Sequence, residues 1–185
     1  MSKFKTPLEE TLEYWYEARR GLIQEVSNIP ATRFSFRATL ETRSVTELLQ
    51  HILEVSIMTV EELVREDTNL HRAPYAELLH HYAPNITRAD TQDLLVNLLV
   101  EQYKDAETRL SAAGDLHMMQ LITKQDGSKG TRLGILQDAV AREMYHRGQL
   151  TIFARLLGLE PALTKELRHP PGMPINNTKS LDQTP

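Results

Sequence analysis

The chain has 185 residues, 41% of them hydrophobic and 25% charged, with a formal net charge of -4, which suits one ordinary soluble domain and gives no reason to expect nucleic acid or an anionic membrane as partner. It contains no cysteine, which excludes disulfides, a thiol nucleophile and a thiolate metal site, so any metal must be held by His, Asp, Glu or water. No apolar run reaches the roughly 18 residues of a membrane span, and Met1–Thr6 lacks the apolar segment of a secretory signal, so the expected location is the cytoplasm.

The first helix is predicted from Pro7 to Ile29, with Pro7 at a position where its missing N–H costs nothing and Pro30 as the stop. Leu8, Leu12, Trp15, Leu22, Val26 and Ile29 form its apolar stripe. Residues 31–42 read as an extended connector. Ser44 followed by Glu47 is a capping box that opens a second helix running to about Arg65, with Val45, Leu48, Ile52, Val55 and Leu63 as its stripe and His51 beside it. Taken alone, a histidine at a stripe edge is most simply a hydrogen-bonded packing residue. Residues 66–87 form a long connection with one short helix after Pro74. It is either part of a pocket wall or a surface excursion. The adjacent His80 and His81 point different ways on a helix and do not share a site.

The third helix opens at Asp90 or Thr91 and closes at Gly114, a residue suited to the left-handed end of a helix. Residues 118–131, with the Asp126-Gly127 turn, allow at most a small hairpin. A fourth long helix is capped by Thr131, runs to about Leu159 and is stopped by Glu160-Pro161. Its last turns, with Ile152, Phe153, Leu156, Leu157 and Leu159, are apolar over more than half the circumference, which points to deep burial or to a dimer contact. The pattern is an all-α, four-helix bundle spanning residues 1–163, followed by a Pro-rich, polar tail at 164–185 expected to be extended or mobile.

The fourth helix carries the most informative stretch, Arg142-Glu143-Met144-Tyr145-His146-Arg147-Gly148-Gln149-Leu150. At about 100° per residue, His146 lies on the same face as Ile135, Ala139, Leu150, Phe153 and Leu157, with Arg142 and Glu143 on the two flanks. A ring nitrogen and two charged groups thus point towards an apolar interior, where polar groups must be paired or bound.

These residues carry a resemblance. Ser44-Val45-Thr46-Glu47-Leu48-Leu49-Gln50-His51 resembles the start of the second helix in the DinB-like (YfiT-like) superfamily of four-helix bundles, and His146-Arg147-Gly148-Gln149-Leu150 resembles that family's signature in the last long helix. The likeness runs from Pro7 to about Pro161. It implies a pocket in which a helix-two histidine and an i, i+4 histidine pair hold a divalent metal, nickel or zinc, as in relatives that are transferases or isomerases dependent on bacillithiol or mycothiol. His51 and His146 match two of those ligands. Arg142 stands where the third would be, and a permanently protonated guanidinium offers no lone pair. The three-histidine site is therefore degraded. Glu143, three residues before His146, is a substitute ligand or the partner of Arg142, Arg147 or another buried cation.

Arg142 and Glu143 are the candidate cofactor-binding residues, and three functions remain open: a metal-dependent enzyme of S-transferase or hydrolase-like type acting with a thiol cofactor, in which His51, His146 and Glu143 hold the ion and Arg142 takes an anionic group of the substrate; a metal-free binder of a small acidic ligand, with Arg142 as a fork for the carboxylate and His51 and His146 as hydrogen-bond partners; and a structural dimer with a relict site, in which Arg142 and Glu143 neutralise one another. A homodimer built partly from the long helices, and His51 and His146 near one another in the interior, are the structural expectations.

Overall fold

The computed structural model describes residues 5–168. In chain order the elements are α1 (Pro7–Asn28), α2 (Val45–Leu63), the short α3 (Tyr75–Tyr82), α4 (Gln92–Met118), the hairpin of β1 (Leu121–Thr123) and β2 (Lys129–Thr131), α5 (Arg132–Leu156) and the short α6 (Ala162–Arg168). No helix among the described residues is long and apolar enough to cross a membrane.

Each long helix begins where a side-chain oxygen accepts from an otherwise unpaired backbone N–H. Thr6 and Glu9 form a capping box on α1, Ser44 and Glu47 one on α2, and Thr91 and Thr131 cap α4 and α5. Glycine sets two of the ends. Gly114, at φ 79°, interrupts α4 after its long apolar run. α5 stops at Leu156, short of the expected Leu159, because Gly158 takes φ 76° and turns the chain before Pro161 is reached.

The bundle order follows from the contacts. Thr11 meets Gln137 and Trp15 meets Glu143, so α1 and α5 run parallel. Glu61 meets Arg109 and Ser56 meets Gln102, so α2 and α4 also run parallel. Tyr103 donates to the Leu12 carbonyl and Gln92 to the Val26 carbonyl, which sets α4 antiparallel to α1. Around the bundle the helices follow the order α1, α4, α2, α5. Because α2 and α4 are parallel neighbours, residues 64–91 must return from one end of the bundle to the other. That return is the physical reason for the long connection.

The connection is tied down at three points. Arg132, 0% exposed, donates to the Leu63 and Asp67 carbonyls at 3.1 and 3.0 Å, closing the end of α2 with a guanidinium. The buried Glu62 carboxylate accepts from Arg72 at 2.5 Å and from the Tyr82 hydroxyl at 2.7 Å. Thr123 of the hairpin donates to the Thr68 carbonyl at 2.8 Å.

The core has two apolar clusters. One holds Leu8, Trp15, Leu63, Leu110 and Leu136, and the other Leu22, Val26, Leu49, Leu53, Leu95 and Phe153. Arg19, Ser56, Gln102 and Glu143 lie in the interval between them on all four long helices. On α5 Phe153 is buried, whereas Ile152 and Leu156 are 52% and 58% exposed.

After Pro161 the chain departs from the expected extended tail. Ala162–Arg168 is helical because the buried Glu25 carboxylate accepts from the backbone N–H groups of Ala162 and Leu163, at 2.9 and 3.0 Å, and so starts a turn there. The rest of that expectation, residues 169–185, lies outside the described residues.

Candidate functional site

The polar layer is built around Arg19 and Glu143, 2% and 5% exposed. Arg19 donates from Nε to Glu143 Oε1 at 2.5 Å and from Nη2 to Oε2 at 2.9 Å, and the Trp15 indole donates to Oε2 at 2.8 Å. The remaining guanidinium donors reach the Leu99 carbonyl, Gln102 Oε1 and Ser56 Oγ at 2.7, 2.9 and 3.0 Å. A buried charge pair satisfied on both sides in this way holds four helices in register. The partner of Glu143 is thus Arg19, and not Arg142 or Arg147. The sequence did offer a signal: Arg19 falls within the α1 apolar stripe, between Trp15 and Leu22.

One helical turn further along α5, His146 meets His51 of α2 edge-to-face, with ring centroids 5.3 Å apart. The two predicted histidines therefore share one site. His146 Nδ1–H donates to Gln149 Oε1 at 2.8 Å, which fixes the tautomer and leaves Nε2 with its lone pair. Burial pushes the His51 pKa down to about 4, reinforced by the positive charges of Arg43 and Arg142 and by the neighbouring His146 ring. At neutral pH His51 is an uncharged imidazole.

Arg142 does not point into the interior as its place on the helical wheel suggests. It is exposed, and among the described residues no carboxylate lies within ion-pairing distance of it. A guanidinium with no buried partner stays at the rim, its stem along the apolar wall and its head in water. There it borders two cavities. One, of about 20 Å³, lies beside Trp15, Thr59, Glu143 and His146 and has room for about one water. The other, of about 220 Å³, lies between α2, α3, α5 and the hairpin, where Met58, Leu70, Tyr75, Leu78 and Ile135 form apolar walls. The 64–91 connection is therefore a pocket wall. His80 and His81 are exposed and line neither cavity.

Two further polar groups stand near this mouth. Burial raises the Tyr75 hydroxyl above its ordinary range, with Arg142 opposing. Burial likewise raises the Glu54 carboxyl, with Arg43 opposing. Tyr75 comes from the connection and Arg43 from the residue before the α2 cap, places where helical periodicity gives no information about direction.

The donor set does not fit a three-ligand metal centre. Two imidazoles are together, the third position is a guanidinium, and Glu143 is saturated by Arg19 and Trp15. Among the described residues no cluster of three or more His, Asp and Glu is arranged to hold an ion. Open zinc sites use three protein ligands.

Comparison with known proteins places the architecture. A crystal structure of the DinB-like protein YjoA from Bacillus subtilis is similar at 18% identity and a TM-score of 0.60, with 80% of this chain and 92% of that chain covered. The mycothiol-dependent maleylpyruvate isomerase is similar at 15% identity and a TM-score of 0.61, with 78% of this chain covered. This chain spans only 61% of that enzyme's length. Among curated protein sequences nothing matches. At these identities the likeness shows the fold alone, a DinB-like four-helix bundle. The DinB family model itself matches residues 1–173, most of the chain, and the chain belongs to the DinB family.

Proposed function

We propose that the chain binds a small organic acid without a metal, at the cavity mouth lined by Arg142 and Tyr75, next to the His51–His146 pair. The observation that carries this reading is the unpaired Arg142 guanidinium on the rim of a cavity of about 220 Å³. A guanidinium offers a planar fork of donors to a carboxylate. The neutral imidazole of His51, the Nε2 of His146 and the un-ionised Tyr75 hydroxyl supply further hydrogen bonds; of the carboxylates on the cavity walls, Glu62 is paired with Arg72, and Asp126 and Asp138 stand with Lys124. The cavity is smaller than the roughly 300–1,000 Å³ of pockets for drug-sized molecules, which points to a ligand of a few carbon atoms.

The test is a thermal-shift and calorimetric titration with malonate, succinate and pyruvate, against their amides. The acids should bind and the amides should not, and Arg142→Met should abolish binding without lowering stability, since the side chain is exposed. Acid binding that is unchanged in Arg142→Met overturns the reading.

A second reading, chemistry on a thiol cofactor, is favoured by the fold likeness to a mycothiol-dependent enzyme. In this chain His51, uncharged at neutral pH, would accept a hydrogen bond from the thiol. With two imidazoles and a guanidinium in place of three ligands, no step is routed through nickel or zinc. Saturable binding of a low-molecular-weight thiol that His51→Gln weakens, with acid binding absent, would favour this reading over the first.

A further inference from the structure

On the opposite flank of α5 from the histidines, a groove of about 890 Å³ runs between α1, α5 and α6. Its walls include Ala18, Val140, Met144, Leu163 and Leu167, and of these Met144, Leu163 and Leu167 are 47%, 37% and 73% exposed. α6 is held over it by Glu25, as described above. The groove also contains one cation with no acceptor. Arg147 makes no hydrogen bond or ion pair among the described residues, and its Nε is buried without a partner. The guanidinium lies flat on the backbone of α1 at Gly21, where a Cβ would fall 2.1 Å from Arg147 Cζ. Glycine inside a helix is unfavourable, and at this position only glycine leaves room for the guanidinium.

The acidic residues nearby do not satisfy it. Glu17 accepts from Arg20 at 2.8 Å, and Glu166 lies 3.5 Å from the same Arg20. Glu10 lines the far end, eleven residues from Gly21 along α1, about 16 Å away at the helical rise. The result is a long apolar groove with one unpaired positive charge at one end.

We propose that this groove binds an aliphatic carboxylate, its head on the Arg147 guanidinium and its chain along Val140, Met144, Leu163 and Leu167. The charge complements a single anionic head group, and the apolar walls match an unbranched hydrocarbon chain better than a second polar group. This site is separate from the mouth at Arg142 and does not depend on what binds there.

The test is calorimetric titration of the full chain with decanoate and with decanol, both below micelle-forming concentration. Decanoate should bind at one site per chain, about tenfold or more tighter than decanol. Arg147→Met should bring decanoate down to the level of decanol, and Leu167→Glu, at an exposed position, should weaken both. Arg142→Met should leave both unchanged. Gly21→Ala keeps the charge but fills its seat, and should also lower the preference for the acid. The proposal is overturned if the parent binds no decanoate, if it binds decanoate and decanol equally, if the preference survives in both Arg147→Met and Gly21→Ala, or if Arg142→Met removes it.

Discussion

Arg19 and Glu143, 124 residues apart in the chain, form a doubly hydrogen-bonded ion pair within the polar layer that separates the two halves of the core. Removing one member leaves the other charged and buried without its partner. Glu143→Gln should therefore cost about 3–5 kcal/mol of stability in urea unfolding. The double variant Arg19→Met, Glu143→Leu should recover much of that loss, so that the two substitutions together cost less than the sum of the single ones. Simple additivity would mean that the pair is not coupled in solution.

Arg142 stands where the family resemblance implies a third ligand, and this makes a metal titration informative. Arg142→His would restore an i, i+4 imidazole pair on α5 facing His51, giving the three protein ligands of an open site. An ion that binds only the folded state stabilises it by mass action, by about 2.7 kcal/mol at a hundred times its dissociation constant. The melting temperature of the variant should rise in excess nickel or zinc, and that of the parent much less. An equal rise in the parent would show that a ligand outside the His51–His146 pair completes the site.

The depressed pKa of His51 links stability to pH. The ring ionises near pH 4 in the folded chain and near its ordinary 6.5 when unfolded. Between these values the unfolded state binds more protons, so stability is full above pH 6.5 and is lost progressively down to pH 4. Unfolding measurements at pH 7 and pH 4.5 should show this loss, reduced in His51→Gln. By NMR the His51 ring should remain neutral at pH 6.

The outer face of α5 presents Tyr145, Ile152 and Leu156, all at least half exposed, around Gly148, which has nothing against its missing side chain. A second copy could approach closely along such a face. The chain is expected to be a homodimer at micromolar concentration by light scattering, and Ile152→Glu with Leu156→Glu should make it a monomer. A parent that is already monomeric would remove this expectation.

The bundle was legible because its four long helices carry apolar stripes, interrupted only at the polar layer, and side-chain caps, and because His51 and His146 each sit beside such a stripe. Their 5.3 Å approach follows from which faces are apolar. The partner of Glu143 was not legible, since periodicity gives a direction relative to one helix axis and no address on another. Arg142 and Glu143 flank the same wheel position, yet one is exposed and the other buried. The difference comes from α1, which brings Arg19 to Glu143 and nothing to Arg142. α6 was missed because its first turn is started by Glu25, more than a hundred residues upstream, and not by a capping residue of its own.

The parallel pairing of α1 with α5 bears on how the protein is made. Trp15 waits 128 residues for the carboxylate it donates to. At about 5–20 residues per second of synthesis, that interval lasts roughly 6–26 s. During it Arg19 has no counter-charge and one side of α1 has no cover. The nascent chain can gather α1, α2 and α4, but the bundle closes only when α5 has left the ribosome. Completion of the fold thus waits for the synthesis of α5, and the half-built bundle is the species that a cell's chaperones would meet.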